Sequence, residues 1–376
     1  MSVILPAYLA VLGFSSARQG VLITATLLGS AGLTLLAGLR ASQFSRRRLL
    51  GWAAVLMAAT GVGFASVTSF WPLVLIGCIG TLNPSGGDVS VFLPTEQALL
   101  PGTTSDASRT ALFARYALIG SLVAAVGALA AGAADLVPDH TSVSVETAYR
   151  SVFAVYAALA LVALARYRRL SPAVEPRPGA PRVPLGPSRD VVLRLAALFC
   201  VDSFGGGFVI QSLLALWLFR RFDLSVAVAG AIFFWTGLLS AFSALVAVRI
   251  AQRIGLVRTM VFTHLPANIF LMLTPFMPNV GLAIACLLCR SALSQMDVPV
   301  RTSYVMAVVT PEERPAAASV TNVPRSLASA AAPFLAGWLL DQSDFGWPLV
   351  IGGALKAAYD VALLLQFRGL RPPEEQ

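Results

Sequence analysis

Apolar runs of membrane length recur from one end of the chain to the other, and no other feature limits the fold so strongly. Residues 19–39, 49–67 and 118–134 are examples, and none of the three contains a charged side chain. A helix needs about 20 such residues to cross a hydrocarbon core of about 30 Å. In lipid every backbone polar group must be paired internally, which leaves helices and closed β-barrels as spanning structures. A barrel strand alternates polar and apolar residues over about ten positions, and 118–134 does not alternate. Charged residues make up 12% of the 376, against about 25% in soluble domains. The chain reads as an all-α polytopic membrane protein.

The spans can be laid out in order. Residues 3–14 are apolar but reach only about half a span. Spans follow at 19–39, 49–67, 73–100, 109–134 and 148–166, the fourth interrupted by Pro84, Gly86, Gly87, Asp88, Pro94 and Glu96. Residues 167–189 are rich in Pro and Arg with no apolar run, which predicts a flexible basic linker. Six more spans lie near 190–219, 225–248, 256–277, 279–309, 315–340 and 346–367. The expected organisation is an N-terminal bundle (1–166), the linker (167–189) and a C-terminal bundle (190–376).

The net charge of +9 sits in short loops: 46–48, 166–189, 249–258 and 368–371. Arginines so placed mark cytoplasmic loops, leave no basic surface for nucleic acid, and predict both termini inside a cytoplasmic membrane. The four cysteines lie in apolar spans, where small-residue helix packing accounts for them.

The halves repeat at a nearly constant offset. Asp88-Val and Asp297-Val lie 209 residues apart, while Arg115 and Arg325, and Gly127 and Gly337, lie 210 apart. Two six-helix halves of one topology imply parallel repeats about a pseudo-two-fold axis normal to the membrane. The loop Gly38-Leu-Arg-Ala-Ser-Gln-Phe-Ser-Arg-Arg-Arg48 partly matches the pattern G-x-L-A-D-R-x-G-R-R/K, with Ser42 in place of Asp, Gln43 of Arg and Ser45 of Gly. In repeat, topology and this loop, the chain resembles the major facilitator superfamily. The resemblance implies a 6+6 helix bundle, read as eleven full spans plus a short first helix. By the same offset the first span lacks its cytoplasmic half, which predicts a truncated start. Resemblance also implies that the first, fourth, seventh and tenth helices line a central cavity and that the ninth and twelfth lie outside it.

Polar residues within the spans are the candidate pathway. Arg290, Ser294, Asp297 and Arg301 share one face of a continuous tenth helix. Asp88 lies on the fourth span, Asp202 and Gln211 on the seventh, and Asn322 and Arg325 on the eleventh. Asp297 and Arg301 stand at i, i+4, the spacing of a self-neutralised pair. Asp88 has no basic neighbour within a turn and is the better proton carrier. Glu96 with Arg115 is expected to form a gate or structural pair, and Lys356 with Asp360 a structural pair. His264 and Asn268 share a face of the ninth span and read as packed, hydrogen-bonded residues. No nucleotide loop, nucleophile–base set, metal cluster or cofactor motif is evident, so an enzyme is not expected. The reading is a monomeric secondary transporter of a small organic solute in the lipid bilayer, coupled to protons. Export is the preferred direction, although 118–132 has glycines without the proline that the family's export branch often carries there. Arg290, Arg301 and Arg325 would suit an anionic solute. The other reading is a non-transporting membrane protein, such as a sensor or a defective paralogue.

Overall fold

The computed structural model describes residues 1–39, 45–85, 92, 95–96, 106–171, 185–310 and 313–369. The described chain is helical: α1 (Ile4–Val11), α2 (Ser16–Leu39), α3 (Arg46–Ser66), α4 (Phe70–Ile79), α5 (Asp106–Ala131), α6 (Ala133–His140) and α7 (Val145–Tyr167) come first. Then follow α8 (Arg189–Gly207), α9 (Gln211–Phe222), α10 (Val226–Ile254), α11 (Leu256–Leu273), α12 (Val280–Ser294), α13 (Asp297–Ala307), α14 (Arg314–Gln342) and α15 (Trp347–Phe367). Among the described residues, nine helical segments are long and apolar enough to cross a membrane, and α4 is a shorter apolar helix. Large side chains point outward from these helices, with Trp71 72% and Leu365 65% exposed. Such surface suits lipid and would favour aggregation in water.

Packing divides the chain into two units. One comprises Met1–Gly179 with Ile210–Ala231, the other Ala180–Val209 with Ile232–Gln376. In this packing α9 and the start of α10 belong with the first unit. Ser212 Oγ donates to the carbonyls of Ser2 (2.9 Å) and Pro84 (2.7 Å). Asp135 accepts from the Ala227 amide at the start of α10 (3.0 Å) and from the Tyr149 hydroxyl (2.7 Å). In the same unit α1 is held by Tyr8, whose ring lies 5.1 Å from that of Phe153 and whose hydroxyl donates to the Phe64 carbonyl (3.0 Å).

Two spans expected to be continuous are broken, and both breaks are written in the sequence. The tenth stops at Ser294 and restarts at Asp297. Pro299 has no N–H to give the Gln295 carbonyl, and its ring crowds that carbonyl, so the helix must begin anew just before it. The seventh ends in Gly205-Gly206-Gly207, where Phe208 and Val209 bond to carbonyls three residues back (3.3 and 3.1 Å). Tight turns of this kind close helix ends, and a glycine run weakens helix continuation.

In the second unit α8 packs on α14 and α15, and α11 on α15, α12 and α13. A Cβ on Gly205 would lie 2.9 Å from the Gly352 carbonyl, and one on Gly352 would lie 2.7 Å from that of Gly205. Only paired glycines let α8 and α15 cross this closely. Val192, Leu195 and Phe199 of α8 share an apolar core with Tyr359, Leu363 and Phe367 of α15.

The start of α14 is tied to the residues ahead of α8 by Glu313. Its carboxylate accepts from Ser188, the Gly186 amide and Thr310, and these hydrogen bonds hold it below its usual value of 4.5. A depressed folded-state value means that this stabilisation is present above the ordinary carboxylate range and is lost as pH falls through the lower, folded-state value. Glu313→Gln is expected to lower the melting temperature at pH 7, with the difference from wild type vanishing in acid below the carboxylate range. A constant difference at all pH values would contradict this role.

Candidate functional site

Asp202 lies in α8, one turn before its glycine end, and is 4% exposed. An unpaired carboxylate there would be very costly, and three helices supply its partners. Lys356 of α15 places Nζ 2.5 Å from Asp202 Oδ1 and 3.4 Å from the Asp202 carbonyl. Arg301 of α13 places Nη1 3.1 Å from Asp202 Oδ2 and 3.2 Å from Asp297 Oδ2. His264 of α11 places Nε2 3.9 Å from Asp202 Oδ1.

A second carboxylate closes the network from behind. Asp360 of α15 is fully buried, with Oδ1 2.8 Å from His264 Nδ1 and Oδ2 accepting from Asn268 Nδ2 (2.9 Å). An ionised Asp360 can only accept, which puts the His264 proton on Nδ1 and leaves Asn268 Nδ2, 3.2 Å from that nitrogen, to donate to Asp360 instead. In the neutral imidazole Nε2 is then an acceptor facing another acceptor, Asp202.

On its other side Arg301 borders a cleft of about 30 Å³ lined by residues that include Phe199, Thr302, Thr321, Asn322 and Arg325. The Arg301 guanidinium lies over the Phe199 ring, 5.4 Å from its centroid. Arg325 Nε donates to Ser203 Oγ (2.7 Å), and among the described residues no carboxylate pairs with Arg325. The cleft thus presents two guanidinium groups, two threonines and an asparagine, with no acidic side chain in its lining.

The expected site residues distribute unevenly. Asp202, Asp297, Arg301, Lys356 and Asp360 meet in the network, with Arg325 and Asn322 at the cleft. Asp297 and Arg301 do pair, across the first turn of α13 rather than along an unbroken helix. Lys356 and Asp360 turn to partners on other helices, Asp202 and His264, instead of to each other. Arg290 lies on α12, beyond the break, with no hydrogen-bond partner for Nε among the described residues. Gln211 opens α9 in the first unit. Glu96 accepts from the hydroxyls of Tyr116 and Tyr167, while Arg115 is exposed. Asp88 lies outside the described residues. His264 and Asn268 were not among the expected site residues: their i, i+4 spacing was visible, but the tertiary packing of α11 on α15 supplies their partner.

A family profile described as Major Facilitator Superfamily matches residues 1–289 and again 195–376. An uncharacterized membrane protein of Saccharomyces cerevisiae is 24% identical over 402 residues, covering 98% of this chain and 90% of that protein. Among solved structures, the xylose transporter XylE from E. coli matches with TM-score 0.72 and 15% identity, over 100% of this chain and 94% of that one. A mutant of the nucleoside transporter NupG matches with TM-score 0.72 and 13% identity, over 97% and 94%. At these identities the structural matches speak for the fold.

Removing one partner of a buried pair leaves an uncompensated charge and costs about 3–5 kcal/mol. Lys356→Met is expected to destabilise the protein on that scale, and the double variant Asp202→Asn, Lys356→Met by less than the sum of the single changes. A double-mutant cycle of unfolding free energies checks this; strict additivity would mean the two side chains do not interact.

Proposed function

Because the chain belongs to the Major Facilitator Superfamily, we propose that it is a secondary active transporter that moves a small organic solute by alternating access and is coupled to protons. The family's fold supports secondary transport of a solute. What carries the finer reading is the meeting of six ionisable side chains, Asp202, His264, Asp297, Arg301, Lys356 and Asp360, inside one apolar unit. Buried ionisable groups in membrane proteins mark substrate, ion and proton pathways.

In this reading the protein works as a monomer in the cytoplasmic membrane, with its basic loops and both termini inside. The solute and the proton are its partners, and it uses no cofactor. Asp88, the repeat counterpart of Asp297, is the proposed proton carrier of the N-terminal half. Asp202, Arg301 and Arg325 are the proposed pathway residues of the C-terminal half. Export remains the direction favoured by sequence.

The test is flux in proteoliposomes with an imposed pH gradient, using a broad panel of labelled organic solutes. Wild type is expected to accumulate or expel at least one solute when the gradient is present and to lose that movement when it is collapsed. Asp88→Asn is expected to lose gradient-driven movement by at least tenfold while retaining solute exchange. Full gradient-driven transport by that variant would remove Asp88 from the carrier role. No flux of any solute would favour the non-transporting reading, which Ser42 in place of the loop aspartate supports.

A further inference from the structure

We propose that the cleft between Arg301 and Arg325 is a subsite for the carboxylate of a monovalent organic anion, and that its occupancy is linked to a proton on His264. This deepens the transporter reading and rests on it. The geometry and the charge count of the second unit lead to it together.

The cleft suits a carboxylate head. Its volume of about 30 Å³ falls far below the roughly 300–1,000 Å³ of sites that enclose a whole drug-sized ligand, so it receives a head group while the rest of the solute extends beyond. Guanidinium groups are the side chains best shaped to hold a carboxylate through parallel N–H donors. Arg325 brings a cation with no carboxylate partner among the described residues. Thr302, Thr321 and Asn322 can supply further polar contacts.

The charge count limits what can bind and with what. Asp202, Asp297 and Asp360 supply three negative charges; Lys356, Arg301 and Arg325 supply three positive ones. With His264 neutral the group is balanced. An added monovalent anion leaves an excess negative charge in an apolar surrounding, where imbalance is expensive. One proton on the His264 imidazole, which can exist neutral or charged, restores the balance. A divalent phosphate would leave the group unbalanced even then.

Geometry supplies the connection. The groups that meet His264 are Asp202 on α8, Asp360 and Tyr359 on α15, and Asn268 on its own helix; Lys356 and Arg301 bear on the far end of that set through Asp202, and Asp297 through Arg301. Arg301 is shared by Asp202, Asp297 and the cleft. An anion that draws on the Arg301 guanidinium weakens its hold on Asp202. Protonation turns His264 Nε2 from an acceptor into a donor 3.9 Å from Asp202 Oδ1, placing a replacement cation where one is lost. Anion and proton therefore each favour the other's binding, by reciprocal linkage, and travel in the same direction. That reverses the export expected from sequence wherever the proton gradient points inward.

Calorimetry on the purified full chain in nanodiscs tests this, with benzoate as probe and buffers of different ionisation enthalpy. Wild type is expected to bind benzoate at least tenfold more tightly than benzamide or inorganic phosphate, taking up close to one proton per benzoate near pH 7. Affinity should fall as pH rises, by up to about tenfold per pH unit. His140→Gln should behave as wild type, His264→Gln in the Asp88→Asn background should bind without proton uptake, and Arg325→Gln should lose at least tenfold in affinity. If His264→Gln melts early, the pH dependence of wild-type affinity carries the same reading. Equal binding of benzamide, preference for phosphate, or proton uptake by the Asp88→Asn variant that survives the further change His264→Gln would each overturn the proposal. A chain that moves solute in proteoliposomes yet binds no benzoate refutes this inference alone; a chain with no flux at all refutes the transporter reading beneath it.

Discussion

The second unit is organised around one constraint: the carboxylate of Asp202 must not be left alone in an apolar interior. Its partners come from α11, α13 and α15, helices distant in sequence, and they reach it only if those helices approach α8 closely. The reciprocal glycine contact of Gly205 and Gly352 permits that approach on one side. The restart of the tenth span at Asp297 delivers Arg301 on the other. Helix packing and charge pairing thus support each other, and neither would hold at these distances without the other. The energy of such a network lies less in net stabilisation than in the penalty for breaking it, since buried ion pairs often do little better than apolar replacements of equal volume. Its retention in an apolar unit therefore suggests a task beyond stability.

Arg301 has the central place in that task. It pairs with two carboxylates, lies over the Phe199 ring and borders the cleft. A change of charge in the cleft acts on Asp202 through this one side chain at Oδ2, and His264 approaches the other oxygen, Oδ1. Coupling over such a distance needs no long-range conformational wire. It needs only a shared cation and a titratable group within reach of the carboxylate that cation serves.

Much of the fold was legible because a membrane removes ambiguity. Apolar runs of spanning length admit helices almost alone, and the 209–210 offset between halves was visible without any structure. The Asp297–Arg301 pair was legible because both partners stand on one helix at i, i+4. The same spacing misled at Lys356 and Asp360: close packing of α15 against α8 and α11 offered each a partner in a buried position, and those contacts prevail over the pairing along the helix. Pro299 and the Gly205–Gly207 run carried the helix breaks openly, yet hydrophobicity alone passes straight through them. His264 illustrates the limit most clearly, because an isolated histidine on an apolar span looks the same whether it packs inertly or faces two carboxylates.

The chain contains two histidines, which makes the central claim directly measurable. In the His140→Gln background, nitrogen NMR of histidine-labelled protein observes the His264 imidazole alone. If an anion in the cleft and a proton on His264 balance each other, saturating benzoate near pH 7 raises the protonated fraction of that imidazole, and benzamide leaves it unchanged. Identical imidazole spectra with and without bound benzoate would contradict the linkage between the cleft and the buried network.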